Sequence, residues 1–140
     1  MAKPSDHLLK RSLSSQPEFS KFLGISILTA TKKQVRAELT VKKEFANRNN
    51  VMHGGAIMAF ADDIGGVTAL LNLEHSLSTT TIESKTNFFR PIKIGEKIIA
   101  KCEILKNGQK IVVLQTKIFR SDQKVAAIVT QSQMKLKFKN

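Results

Sequence analysis

Two adjacent aspartates, Asp62 and Asp63, are the only charges in a long apolar run of this chain. Upstream stand Asn47, then His53 directly followed by Gly54 and Gly55. A carboxylate can deprotonate water or attack an electrophile, and burying one is costly unless it is paired or useful. A glycine pair at a helix start leaves unpaired N–H groups and a positive dipole end open to an incoming oxygen. This set of residue types suits attack on a polarised carbonyl: an acid to activate water, and N–H donors to hold the oxyanion. Removing one such donor typically costs about 10²–10³ in rate.

Each of these residues also has a plain structural reading. His53 could be a helix-start residue bonded to backbone. Asn47 could be a turn residue, and Asp62 a structural acid. Metal binding is not expected. The three histidines lack a ligand spacing, and Cys102 stands alone in a strand pattern. No Gly-rich phosphate loop and no Gly-x-Ser-x-Gly elbow occurs.

The element that must carry the aspartates is a helix. From Ala56 onward the chain is rich in Ala, Met, Leu and Phe. A helix is expected from about Gly54 to Leu73. Its apolar residues cover most of the circumference, which predicts burial on all sides. A bilayer span is disfavoured, because each aspartate near the middle would cost about 2.5–3.5 kcal/mol. Asp62 lies some two turns beyond Gly55, too far for both to act at one point within one helix. Successive helix residues point about 100° apart, so only one of the two aspartates can face a given site.

Around this helix the chain reads as strands. Val35, Ala37, Leu39 and Val41 alternate with Arg36, Glu38, Thr40 and Lys42. Residues 25–43 are expected as an antiparallel pair or one long bent strand. Strands are predicted over 78–89, ended by Pro91, over 98–105, over 111–119 and over 125–138. Asn107-Gly108 is a strong hairpin signal, and Ser121-Asp122-Gln123 a second tight turn. Upstream, 1–15 is polar and Ser-rich, expected mobile or loosely helical. Pro17 starts a short helix ended by Gly24, with Phe19, Phe22 and Leu23 as its greasy docking face. The domain division is an N-terminal segment, 1–24, and one folded domain, 25–140. An antiparallel sheet carrying one helix is an α+β layer architecture. One sheet cannot cover a helix apolar on every side, so a second copy of the chain is expected to complete it.

The 140 residues carry 23 Lys and Arg against 11 Asp and Glu, a formal charge of +12. The positives are dispersed through polar strand phases, as on a solvated surface. Trp and Tyr are absent, and the eight Phe match no stacking module. Nucleic acid and membrane are therefore not expected partners. One cysteine permits no intrachain disulfide, and no secretory signal pattern opens the sequence. Both lead to a cytoplasmic expectation.

Asn47-Arg48, His53-Gly54-Gly55, Ala61-Asp62, Gly66, Ala69 and the later Phe89-Arg90-Pro91 with Gly95-Glu96 together resemble the hotdog-fold acyl-CoA thioesterases. The similar branch is that of the phenylacetate-degradation thioesterase and thioesterase superfamily member two. The resemblance covers roughly residues 35–137. It implies a hotdog fold, a long central helix wrapped by an antiparallel sheet, paired in a homodimer or a homotetramer. It implies hydrolysis of a small aromatic or medium-chain acyl-CoA, with no cofactor beyond the coenzyme A of the substrate. Asp62 falls on the family's general base or nucleophile, and Asn47 and His53 on residues beside the thioester. Gly55 falls on the N–H donor to its oxygen, and Thr81 on a hydroxyl that helps the water. Coenzyme A would run along Arg90, Pro91, Lys106, Asn107, Gly108 and Lys110. Phe60, Ile64 and Phe88 are expected to line the acyl pocket. The family often has glycine where this chain has Asn50, and Asn enters the left-handed region more readily than most residues. Asp63 is expected as a capping or interface residue. The alternatives are a hotdog acyl-CoA hydratase or dehydratase, or an acyl-CoA-binding protein without turnover.

Overall fold

The computed structural model describes residues 7, 9, 10, 13, 14, 16–74 and 76–137. His7, Leu9, Lys10, Leu13 and Ser14 are helical, and the rest of the 1–15 expectation lies outside the described residues. Then follow helix α1 (Glu18–Leu23), strands β1 (Ser26–Ala30) and β2 (Gln34–Thr40), and a 3-10 turn (Lys43–Phe45). After these come helix α2 (Gly54–Leu70) and strands β3 (Leu77–Phe88), β4 (Lys97–Asn107), β5 (Ile111–Phe119) and β6 (Val125–Lys137). One antiparallel sheet runs β1-β2-β4-β5-β6-β3, and α2 crosses its inner face.

Alternation decides which side of each strand meets the helix. Val35, Ala37 and Leu39 of β2, Ile98, Ala100 and Cys102 of β4, and Val112, Leu114 and Ile118 of β5 are all buried. From α2 the facing stripe is Ile57, Phe60, Ala61, Ile64, Gly65, Thr68 and Ala69. These positions recur every three or four residues, the period of one helix face. Phe60 and Ile64 are fully buried there, each contributing about 1.5–3 kcal/mol.

Within one chain α2 meets the first expectation in part, and its end is corrected. Its burial is one-sided: Met58 and Asp62 are exposed, and Ala59, Val67 and Leu70 half-buried. Small residues make the outer side look apolar in sequence without its being covered. The helix also ends at Leu70, three residues early. Asn72 Nδ2 donates to Thr68 O, a carbonyl of the last helical turn, and to Lys32 O of the β1–β2 turn.

β3 is an edge strand paired only to β6, and its register slips between Thr81 and Glu83. Thr81 faces Gln133 and Glu83 faces Ser132, so Ile82 is an inserted residue. A bulge shifts which alternate residues face inward. Thr79 and Thr81 lie with the inner row before it, and Ser84, Thr86 and Phe88 after it. Their β6 partners Gln131, Val129 and Ala127 are buried.

The β4–β5 hairpin forms beside Asn107-Gly108, but its corners fall two residues later. Gly108 N–H donates to Ile111 O at 2.9 Å, placing Gln109 and Lys110 at the corners. Neither corner has positive φ, so this is not the primed turn that Asn-Gly usually makes. Glycine is needed at 108 for space: a Cβ there would stand 2.7 Å from Ile111 O.

α1 starts after Pro17 and ends at Gly24, whose φ of 78° takes the left-handed C-terminal role. Its docking face is Ser20 and Leu23, both buried, while Phe19 and Phe22 point outward and stack at 6.3 Å. Spacing alone assigned the phenylalanines to the inside. Asn50 has φ of 59°, the left-handed conformation that Asn can adopt. Among the described residues no helix is long and apolar enough to cross a membrane.

Candidate active site

Asp62 stands midway along α2 on the edge of the buried stripe, under β3 and β6. Thr81 Oγ1 donates to its Oδ1 at 2.9 Å, and Gln131 Nε2 donates to the same oxygen at 2.6 Å. In the single chain this carboxylate is exposed, which corrects the expectation of a buried acid. A cavity of about 260 Å³ opens beside it, bounded by Pro17, Val67, Leu70, Thr79 and both aspartates.

Asp63 turns away from Asp62, as 100° per residue requires. Its Oδ1 accepts a short hydrogen bond from Ser20 Oγ, tying α2 to α1. Burial pushes the Asp63 carboxyl above its usual range, opposed by the Ser20 bond and assisted by the charge of Asp62. A raised folded-state value means this group favours folding when protonated, below its ordinary value of 3.8. That contribution is lost as pH rises through the folded value. Asp63→Asn is therefore expected to raise the melting temperature at pH 7 by about 2–4 °C. The gain should vanish as pH falls below 4, measured by thermal melts across pH. An equal gain at every pH would show that charge burial is not the cause.

The second group of residues lies at the start of α2. His53 caps the helix, and its Nδ1 accepts from Gly55 N–H at 2.8 Å. The donor assigned to a carbonyl oxygen is thus engaged by the imidazole here, and turning His53 aside would release it. Gly54 opens the helix with an N–H that the helix cannot use. A Cβ at Gly54 would meet Phe88 at 3.1 Å. Asn47 Oδ1 accepts from Asn49 N–H at 2.9 Å and from Val51 N–H at 3.3 Å, so it builds the loop leading to His53. Asn47, Gly54, Ile57, Phe88, Arg90 and Pro91 border a second cavity of about 340 Å³.

Within one chain these groups stay apart. Gly55 and Asp62 are separated by about 10 Å of helix rise, and the cavity beside Asp62 shares no lining residue with the one bordered by Asn47 and Gly54. The residues expected along coenzyme A also divide. Arg90 N–H donates to Ala126 O, at one end of the sheet. Lys106, Asn107, Gly108 and Lys110 are at the other, where Lys135 N–H donates to Lys110 O. The β6 residues between these points span roughly 25–30 Å. Phe60 and Ile64 line neither cavity, since the buried stripe carries both into the core. Phe88 does line the second cavity.

Sequence reasoning passed over Gln131, Ser20, Val67 and Leu70. A glutamine in a strand carries no signal of its own. Only the sheet order brings β6 under the acid. Cys102 is buried, and burial pushes its thiol up, away from the nucleophilic thiolate. Among the described residues no cluster of three His, Cys, Asp or Glu side chains could hold a metal.

A six-stranded antiparallel sheet wrapped on one long helix, with an acid at the helix midpoint, defines a hotdog-fold protein. The E. coli PaaI protein from the phenylacetic acid degradation operon superposes with a TM-score of 0.86, covering 96% of each chain at 19% identity. In sequence, a candidate esterase of Saccharolobus solfataricus is 32% identical over 107 residues, covering 76% of this chain and 75% of that one. Human acyl-coenzyme A thioesterase 13 is 26% identical over 102 residues, 72% of each chain. Residues 49–127 match the thioesterase superfamily. The chain belongs to that superfamily, and it is a thioester hydrolase.

Proposed function

We propose that the protein hydrolyses the thioester of a small aromatic or medium-chain acyl-CoA, at a site completed by a second copy of the chain. The observation that carries this reading is Asp62, held by Thr81 and Gln131 beside an apolar cavity. In the reaction, Asp62 takes a proton from water while the water oxygen attacks the thioester carbonyl. The N–H groups of Gly54 and Gly55 receive the developing oxyanion, with His53 and Asn47 alongside. The intermediate collapses, the carbon–sulfur bond breaks, and the leaving thiolate is protonated. Free acid and coenzyme A are the products.

The need for a second copy follows from distance, because one chain separates its acid from its carbonyl-binding end. Two further features favour it. β3 offers an unpaired edge twelve residues long, and such edges are normally covered. The outer side of α2 leaves Met58, Val67 and Leu70 accessible. Two helices packed side by side would bring one Asp62 toward the other Gly55. The same pairing would let Arg90 of one copy and the 106–110 hairpin of another approach one coenzyme A.

The testing experiment is a panel of acyl-CoAs followed with a thiol reagent. Free thiol should appear, fastest with acyl groups that fit the cavity beside Asp62. Binding without thiol release would overturn hydrolysis and leave an acyl-CoA-binding protein, and hydration of an enoyl thioester would release no thiol.

A further inference from the structure

Gln131 is buried to 1% exposure on the inner face of β6, opposite Ser84 of β3 and Leu114 of β5. Its Nε2 donates to Asp62 Oδ1 at 2.6 Å. Its Oε1 presses on α2 at Gly65, so closely that a Cβ there would stand at 1.8 Å. That oxygen is buried with no hydrogen-bond partner among the described residues. A buried, unsatisfied carbonyl costs stability, and a leucine would fill the same space without it. The other end of that amide touches the acid.

The acid's own geometry says what the contact achieves. Asp62 Oδ1 receives two donors, Thr81 from the edge strand and Gln131 from its neighbour. Among the described residues Oδ2 receives none, so it is the oxygen left for water. A carboxylate on a helix can rotate freely about its last bond. Two donors from different strands, converging on one oxygen, set that rotation. Gly65, one turn from Asp62, is part of the device, because only a residue without Cβ lets the amide slide beneath the helix.

We propose that Gln131, admitted by Gly65, is the positioning residue that aims the Asp62 carboxylate. This rests on the hydrolytic reading of the same site. It acts through Asp62 and does not touch the substrate. Losing such aim should cost kcat about 10- to 100-fold and leave KM nearly unchanged, since the interaction matters only in the transition state.

The test uses the full chain and five variants. Gln131→Leu should keep or raise its melting temperature and lose kcat, with KM within about twofold of the parent. Gly65→Ala should reproduce that loss, because its methyl displaces the amide. Adding Gly65→Ala to Gln131→Ala should then cost nothing further. A folded Gln131→Leu protein with parental kcat would overturn the proposal, as would a loss carried by KM alone. Should Gln131→Leu fail to fold, parental kcat in Gly65→Ala overturns it equally. A readout without turnover separates this from the hydrolytic reading. The side-chain amide resonances of Gln131 should move in Asp62→Ala, and unmoved resonances would sink the contact itself. Absence of thiol release by the parent protein would instead sink the hydrolytic reading alone.

Discussion

Asp62→Asn is expected to lower turnover about 10³-fold, within the range general-base catalysis supplies, without changing the melting temperature. The structure makes this substitution unusually clean. Asn has the same shape, and its side-chain oxygen can still accept from Thr81 and Gln131, the two donors on Oδ1. The amide nitrogen then replaces Oδ2, the oxygen that no described residue contacts. Basicity is lost while the local hydrogen bonds persist. Because Asp62 is exposed in the chain, no buried charge is removed and no cavity opens. Asp63→Asn is the control: its carboxylate is engaged by Ser20, and turnover should survive. Steady-state thiol release with melts on the same samples decides it. Parental turnover in Asp62→Asn would mean that the acid at the helix midpoint does no chemistry.

The second large effect is a rescue. Gly55→Pro removes one of the two N–H groups assigned to the oxyanion, and proline is tolerated in the first turn of a helix. A Cβ there would meet only His53, whose Nδ1 it would approach at 3.1 Å, and that side chain can turn away. Alone, Gly55→Pro should lose activity about 10²-fold or more, as Asp62→Asn should. Refolded together in equal amounts, the two inactive chains should recover about a quarter of parental activity. In a site shared across the helix pair, half the dimers are mixed, and each mixed dimer holds one intact site. A site made within one chain predicts no recovery, because every chain then carries its own lesion. Sedimentation of the mixture would check that the copies exchange. No recovery from a fully exchanged mixture would return the site to a single chain.

How much of this was legible in the sequence can be traced residue by residue. That only one of Asp62 and Asp63 can face a given point followed from the 100° between neighbours on a helix, and the family resemblance picked Asp62. Asn50 could be read as a tolerated left-handed residue, and its φ of 59° agrees. Period-two alternation marked 35–41 as strand, but left open whether 25–43 is an antiparallel pair or one bent strand, and the structure shows the pair. Phe60 and Ile64 went wrong because residue type says "apolar" without saying which side of a helix the sheet will cover. Phe19 and Phe22 went wrong for the same reason, since a short helix with a buried serine hides its true docking face. The expected coenzyme A residues are close in the motif but sit at opposite ends of a long strand.

The sequence by itself determined the elements, the one long helix and the acid placed midway along it, because those depend on local periodicity and capping. The tertiary structure alone decided what that acid touches. Ile82, inserted in β3, lets Thr81 face inward before the bulge and Phe88 after it. The order of strands, not their sequence, sets β6 beside β3 and slides Gln131 under Gly65. Such contacts join residues up to 69 positions apart, and no local pattern encodes a register that only packing selects.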